Sequence, residues 1–154
     1  MFELRNPDGL ARMTADFARQ GAMATFGVTV AEASAGRVVL HLPFNADLTQ
    51  HHGYIHAGVI TSVMDSAAGF AAFTLMDADA EVLTAEFKAS FLAPARGASF
   101  RVVGEVLKPG RTLTFTQASA FAVTDAGEVL VATLTATMMA VRPRPDQRPD
   151  AARA

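Results

Sequence analysis

Residues 57–76 read Ala57-Gly58-Val59-Ile60-Thr61-Ser62-Val63-Met64-Asp65-Ser66-Ala67-Ala68-Gly69-Phe70-Ala71-Ala72-Phe73-Thr74-Leu75-Met76, a nearly continuous apolar run carrying a single charge. Apolar side chains fall on every side of a helix drawn through it, and such a helix is buried. Asp65 is the exception. An unpaired carboxylate in a buried place costs several kcal/mol of lost hydration. Asp65 therefore marks either a helix face that opens onto a polar site or a specific structural partner. Just ahead stands Gln50-His51-His52-Gly53-Tyr54-Ile55-His56, dense in amide and imidazole groups. The carboxylate and the glycine-containing helix start are thus roughly two and a half turns apart on one rigid element.

The run is barely long enough to span a bilayer. Asp65 in its middle, several hydroxyls, His56 at one end and Asp77, Asp79 and Glu81 at the other argue for a buried helix in a folded domain. Outward from it the chain alternates. Leu10, Met13, Phe17 and Gly21 recur at helical spacing, which predicts a surface helix over 8–22 with Asp8 as N-cap. Val28 to Ala33 and Arg37 to Leu42 read as two strands around a Ser34-Ala35-Gly36 turn, stopped by Pro43. Residues 44–56 form a polar loop into the apolar helix. After it, Leu83, Ala85, Phe87, Ala89 and Phe91 alternate with polar neighbours, and three further strands follow. Turns at Lys108-Pro109-Gly110 and Asp125-Ala126-Gly127 separate them. The last strand, Glu128 to Val141, is apolar or Thr on both faces, which predicts a central or doubly covered position. Residues 142–154, with Pro143, Pro145, Pro149 and four Arg, predict a disordered tail beyond a single domain over 1–141.

This order gives an α+β fold, one antiparallel six-stranded sheet wrapped around the central helix with an extra N-terminal helix. The sheet carries more apolar surface than one helix covers, so a homodimer is expected, with a dimer of dimers as an extension. The 154 residues carry 13 Lys and Arg against 15 Asp and Glu, a net charge of −2. With no basic stripe, that balance gives nucleic acid no electrostatic handle. Cys is absent, which removes disulfides and thiolate chemistry and fits a reducing, cytoplasmic setting. No signal-peptide pattern opens the chain.

Gln50, Gly53, His56-Ala57-Gly58 and Asp65 together resemble the signature of the hotdog-fold acyl-CoA thioesterases of the phenylacetic-acid-pathway type. In that signature an amide residue precedes a glycine, then a His-Gly-Gly group, then an acid nine positions after the His. Val82 to Phe91 running into Ala93-Pro94-Ala95-Arg96-Gly97, Gly110-Arg111 and the Asp125/Gly127 hairpin extend the likeness over residues 28–141. Two positions depart: Gln50, where Asn is commoner, and Ala57, where Gly is. Gln50 keeps an amide and Ala57 keeps its backbone N–H.

The resemblance implies hydrolysis of an acyl-CoA thioester at a site between two subunits. One would supply the acid and the other the His-Gly-Gly helix start, with coenzyme A along the sheet and no metal or other cofactor. It casts Asp65 as nucleophile or general base and Ala57 as the oxyanion donor at the helix start, with Gly58 allowing close packing. Gln50 would donate to the thioester carbonyl or fix the attacking group. His56 would orient the loop rather than transfer protons, and Thr84 would position water. Lys88, Arg96 and Arg111 are candidates for the coenzyme A phosphates. Burial raises the pKa of a carboxyl and nearby N–H groups lower it, so no direction for Asp65 follows from sequence. His51, His52 and His56 make no compact metal motif. A hydratase or dehydratase pairing His56 with Asp65 and a non-catalytic acyl-CoA binder are the alternatives. The first lacks a His-Phe-Pro motif, and the second gives Asp65 no purpose.

Overall fold

The computed structural model describes residues 2–142. In chain order the elements are α1 (Gly9–Phe17), α2 (Gly21–Phe26), β1 (Thr29–Ser34), β2 (Arg37–Pro43), α3 (Ala57–Phe73), β3 (Glu81–Phe91), β4 (Ser99–Lys108), β5 (Leu113–Thr124) and β6 (Gly127–Val141). The strands make one six-stranded sheet in the order β1-β2-β4-β5-β6-β3. Every neighbouring pair is antiparallel. α3 lies across one face, as its apolar circumference requires. Ile60, Val63, Met64, Ala67, Ala68, Ala71 and Ala72 are fully buried there, against Val38, Leu40, Val102, Ala120 and Met138 of the sheet.

Small residues allow that contact to be close. The alanines of α3 meet β4 where it carries Gly104; a Cβ at that position would fall 2.2 Å from the Ala67 carbonyl carbon. α3 ends at Phe73, three residues short of the apolar run. Thr74 stops it: its hydroxyl donates to the Ala71 carbonyl at 2.7 Å and accepts from the Gly36 N–H at 2.8 Å. These bonds tie the helix end to the β1–β2 turn.

The N-terminal helix expected over 8–22 is two helices. Gln20 takes an extended ψ of 99° and breaks them apart, and Gly27 at φ +73° ends the second. The break has a packing reason. It lets Met13 and Phe17 of α1 and Met23 of α2 all reach the core, which one straight helix would not do. Asp8 precedes α1 but makes no side-chain cap. Arg12 pins α1 in place: it stacks 4.4 Å over the Phe73 ring and donates to the Ala80 carbonyl at 2.6 Å and Glu81 at 2.8 Å.

β6 lies between β5 and β3, matching its two apolar faces. That leaves β3 as an edge of eleven residues, with Leu83 55 %, Phe87 49 % and Phe91 45 % exposed. Leu113 and Phe115 are exposed on β5 as well. Arg142 pairs with Asp77 at 2.7 Å and Asp79 at 3.1 Å. The rest of the tail expected to be disordered lies outside the described residues. Among the described residues no helix is long and apolar enough to cross a membrane.

Candidate active site

The loop ahead of α3 is held at both ends. A short 3-10 turn, Ala46–Leu48, is capped by the Asn45 side chain, and Thr49 bridges to Ile55. The His56 N–H donates to the Leu48 carbonyl at 2.9 Å, and the Ile55 N–H to the Ala95 carbonyl at 3.2 Å. The chain therefore enters the helix at a defined angle. His56 is the N-cap of α3, and its Nδ1 accepts from the Gly58 N–H at 2.9 Å. With Nδ1 an acceptor, the ring's proton belongs on Nε2. The ring is thereby tied to the start of α3. Gly58 makes room for that ring, since a Cβ would meet Nδ1 at 3.1 Å.

Capping leaves one donor over. The Gly58 N–H is committed to His56, whereas the Ala57 N–H has no acceptor among the described residues. Gln50 stands beside it. Its Oε1 accepts from the His52 N–H, which turns the amide nitrogen into the remaining group. Gln50 and Ala57 border a cavity of about 470 Å³ walled by Tyr54, Phe91, Leu92 and Pro94. An exposed helix-start N–H and a fixed amide facing an apolar hollow suit a carbonyl oxygen that gains negative charge.

Asp65 lies eight positions further along α3, about 12 Å at the helical rise. Ser62 donates back to the Gly58 carbonyl at 2.8 Å, and Ser66 to Gln20 at 3.1 Å. Neither serves the carboxylate. Its partner is Thr84, whose hydroxyl donates to Oδ1 at 2.8 Å from the first part of β3, just before an irregularity between Thr84 and Glu86. Burial pushes the Asp65 carboxyl above its ordinary range, and the Thr84 bond opposes this only in part. A carboxyl shifted by burial beside a cleft is a candidate functional group. It borders a second, smaller cavity with Thr84, Gly69 and Gln20.

The expected residues therefore form two groups, Gln50, His56, Ala57 and Gly58 at the helix start and Asp65 with Thr84 at its middle. The three candidate cations are not gathered. Arg96 follows the end of β3 that pairs near Ala132, whereas Arg111 adjoins Thr112 beside Ala140. Those points are about 25 Å apart along β6 at strand rise. Lys88 lies between them, opposite Thr135. His51 and His52 lie against each other with ring centroids 3.9 Å apart, and no group of three metal-ligating side chains occurs among the described residues. The sequence reading missed Gln20 at the Asp65 cavity and the Phe91–Pro94 wall beside Ala57. Only the alternation in β3 hinted at the latter.

Fold and site geometry together define a hotdog thioesterase-type protein. Residues 52–129 match the family described as the thioesterase superfamily, and the chain belongs to it. A solved thioesterase family protein from Silicibacter pomeroyi is 50 % identical, covers 87 % of this chain and 99 % of its own, and superposes with a TM-score of 0.84. The PaaI protein of the E. coli phenylacetic acid degradation operon shares the fold at 15 % identity, with a TM-score of 0.77 over 87 % of this chain and 94 % of its own. A Saccharolobus solfataricus protein carrying the provisional name of an esterase is 37 % identical over 86 residues, 56 % of this chain and 61 % of that protein. The chain spans less than two thirds of the length of the curated relatives it matches.

Proposed function

We propose that this protein hydrolyses acyl-CoA thioesters at a site completed by a second copy of the chain. The observation that carries the reading is the pairing of a half-buried carboxylate with a free helix-start N–H on one helix. A reacting carbonyl must lie about 3 Å from both the attacking group and the oxyanion donor. Asp65 and Ala57 of one α3 are about 12 Å apart along its axis, so one chain does not bring them to the same carbon. Two copies joined along the exposed β3 edges would run those strands antiparallel, setting the Thr84 end of one against the Phe91 end of the other and covering Phe87 and Phe91.

Asp65 of one copy then serves as base or nucleophile, steadied by Thr84. The Ala57 N–H and the Gln50 amide of the other receive the oxygen. The apolar wall of Phe91, Leu92, Ala93 and Pro94 favours an apolar acyl group or the pantetheine arm. Lys88, Arg96 and Arg111 remain candidates for the phosphates, spread along the sheet as an extended ligand would need. Residues 1–141 act as one domain in this reading.

A panel of short, medium and aromatic acyl-CoA thioesters, followed by release of free thiol without added metal, tests it. Asp65→Asn keeps the shape and removes the carboxylate, so turnover falls at least about 100-fold while binding changes little. Sedimentation equilibrium should give a dimer or tetramer, and a monomer at micromolar concentration would remove the shared site. A parent protein that binds acyl-CoA tightly and hydrolyses none is a binding module instead.

A further inference from the structure

The break between α1 and α2 brings to the Asp65 cavity a side chain from none of the signature positions. Gln20 is the residue before α2, yet its side chain makes no cap for that helix. Its Oε1 instead accepts from Ser66 Oγ at 3.1 Å, a bond between residues 46 positions apart. Ser66 is Asp65's neighbour. The bond fixes the amide's orientation: Nε2 keeps its donors, which have no acceptor among the described residues. Asp65 is in the complementary state, for Oδ1 accepts from Thr84 and Oδ2 has no donor among the described residues.

Gln20, Asp65 and Thr84 border one small, half-open cavity of about 90 Å³, lined also by Ser66, Phe70 and Val82. A polar recess of that size is roomy enough to hold ordered water. Gly69, one turn beyond Asp65, lines it as well. A Cβ there would meet only Met138 Sδ, at 3.9 Å, so packing does not require the glycine. An amide donor, a carboxylate acceptor and a hydroxyl supply the roughly three hydrogen bonds that a buried water makes.

We propose that Gln20 is a positioning residue that holds the hydrolytic water for Asp65, which acts as general base. This rests on the thioesterase reading above. The water accepts one N–H from Gln20 and donates to the Asp65 carboxylate and to Thr84 Oγ1, leaving one lone pair for the thioester carbon. As that pair forms the new C–O bond, the water's proton passes to Asp65 and the carbonyl π electrons move onto oxygen. Collapse breaks the C–S bond, and the sulfur leaves with its electron pair and takes the proton from Asp65. A carboxylate attacking directly would need no water at this stage.

Gln20→Met keeps the volume and removes the amide, and Gln20→Glu places a second carboxylate in the cavity. Both are compared with the parent by thiol release and thermal unfolding. Gln20→Met lowers kcat about tenfold, the worth of one hydrogen bond, and leaves KM within about twofold. Gln20→Glu moves the acid limb of kcat/KM to higher pH, because a like charge disfavours ionised Asp65. A purely structural Gln20 would lower the melting temperature and leave the kcat of the folded Gln20→Met protein at the parent's value. The proposal is overturned by folded variants with the parent's kcat and acid limb. Turnover lost only in proportion to the folded fraction also overturns it. A parent inactive on every thioester refutes the thioesterase reading itself, before any variant is compared, and this inference with it.

Discussion

Gly104→Ala should loosen the contact on which both the core and the position of Asp65 depend. Gly104 lies in β4 opposite Val38 and Ala118, facing α3. A Cβ there would fall 2.2 Å from the Ala67 carbonyl carbon, 2.3 Å from its oxygen and 2.6 Å from the Ala68 nitrogen. Comfortable contact begins near 3.5 Å, so helix and sheet must part by more than about 1 Å. All three atoms are backbone within a continuous helix, and no rotamer change relieves the overlap. Overpacking an interior costs about 1–3 kcal/mol, and an immovable neighbour puts this case near the upper end. At about 2–4 °C per kcal/mol for a domain of this size, the melting temperature falls by about 6–12 °C. The displacement also carries Asp65, two residues before Ala67, away from Thr84, whose 2.8 Å bond does not survive a shift of that size. Thermal unfolding followed by circular dichroism gives the first number. Thiol release at a temperature where the variant is fully folded gives the second. A Gly104→Ala protein that melts within about 2 °C of the parent would refute the argument.

Two further outcomes follow from the site. The folded state holds the Asp65 carboxyl above its ordinary value of 3.8, so over that interval the native protein binds more protons than the unfolded chain. The penalty is therefore absent below pH 3.8 and grows until pH exceeds the folded-state pKa. Asp65→Asn should accordingly be the more stable protein at pH 7 and converge with the parent in acid; parallel melting curves across pH would contradict this. His56→Ala removes the cap of α3 and costs about 1 kcal/mol. His56→Asn restores an acceptor and with it most of the stability and turnover. Turnover that stays as low in the Asn variant as in the Ala variant would mean that His56 transfers protons.

The strands, the apolar helix and the lone charge of Asp65 within it were legible in the sequence because each is a local signal. Alternation with a period of two marks β3 to β5, Gly127 follows its hairpin turn, and a carboxylate inside an apolar run stands out without coordinates. The amide, His and small-residue pattern from Gln50 to Gly58 was legible for the same reason. Tertiary structure decided what depends on atoms distant in sequence. The helical periodicity over 8–22 ran through the break at Gln20, since only the core shows that Met13, Phe17 and Met23 must be buried together. Thr74 was indistinguishable from the rest of the apolar run until Gly36 was seen to donate to it. The direction of the Asp65 shift required both its burial and its Thr84 partner. Gln20 carried no signal at all, because its meeting with Ser66 is made by the path of the chain through space and by no repeat along it. Periodicity reports which face of an element is buried; what is buried against it, and at what distance, is set by the packing of the whole chain.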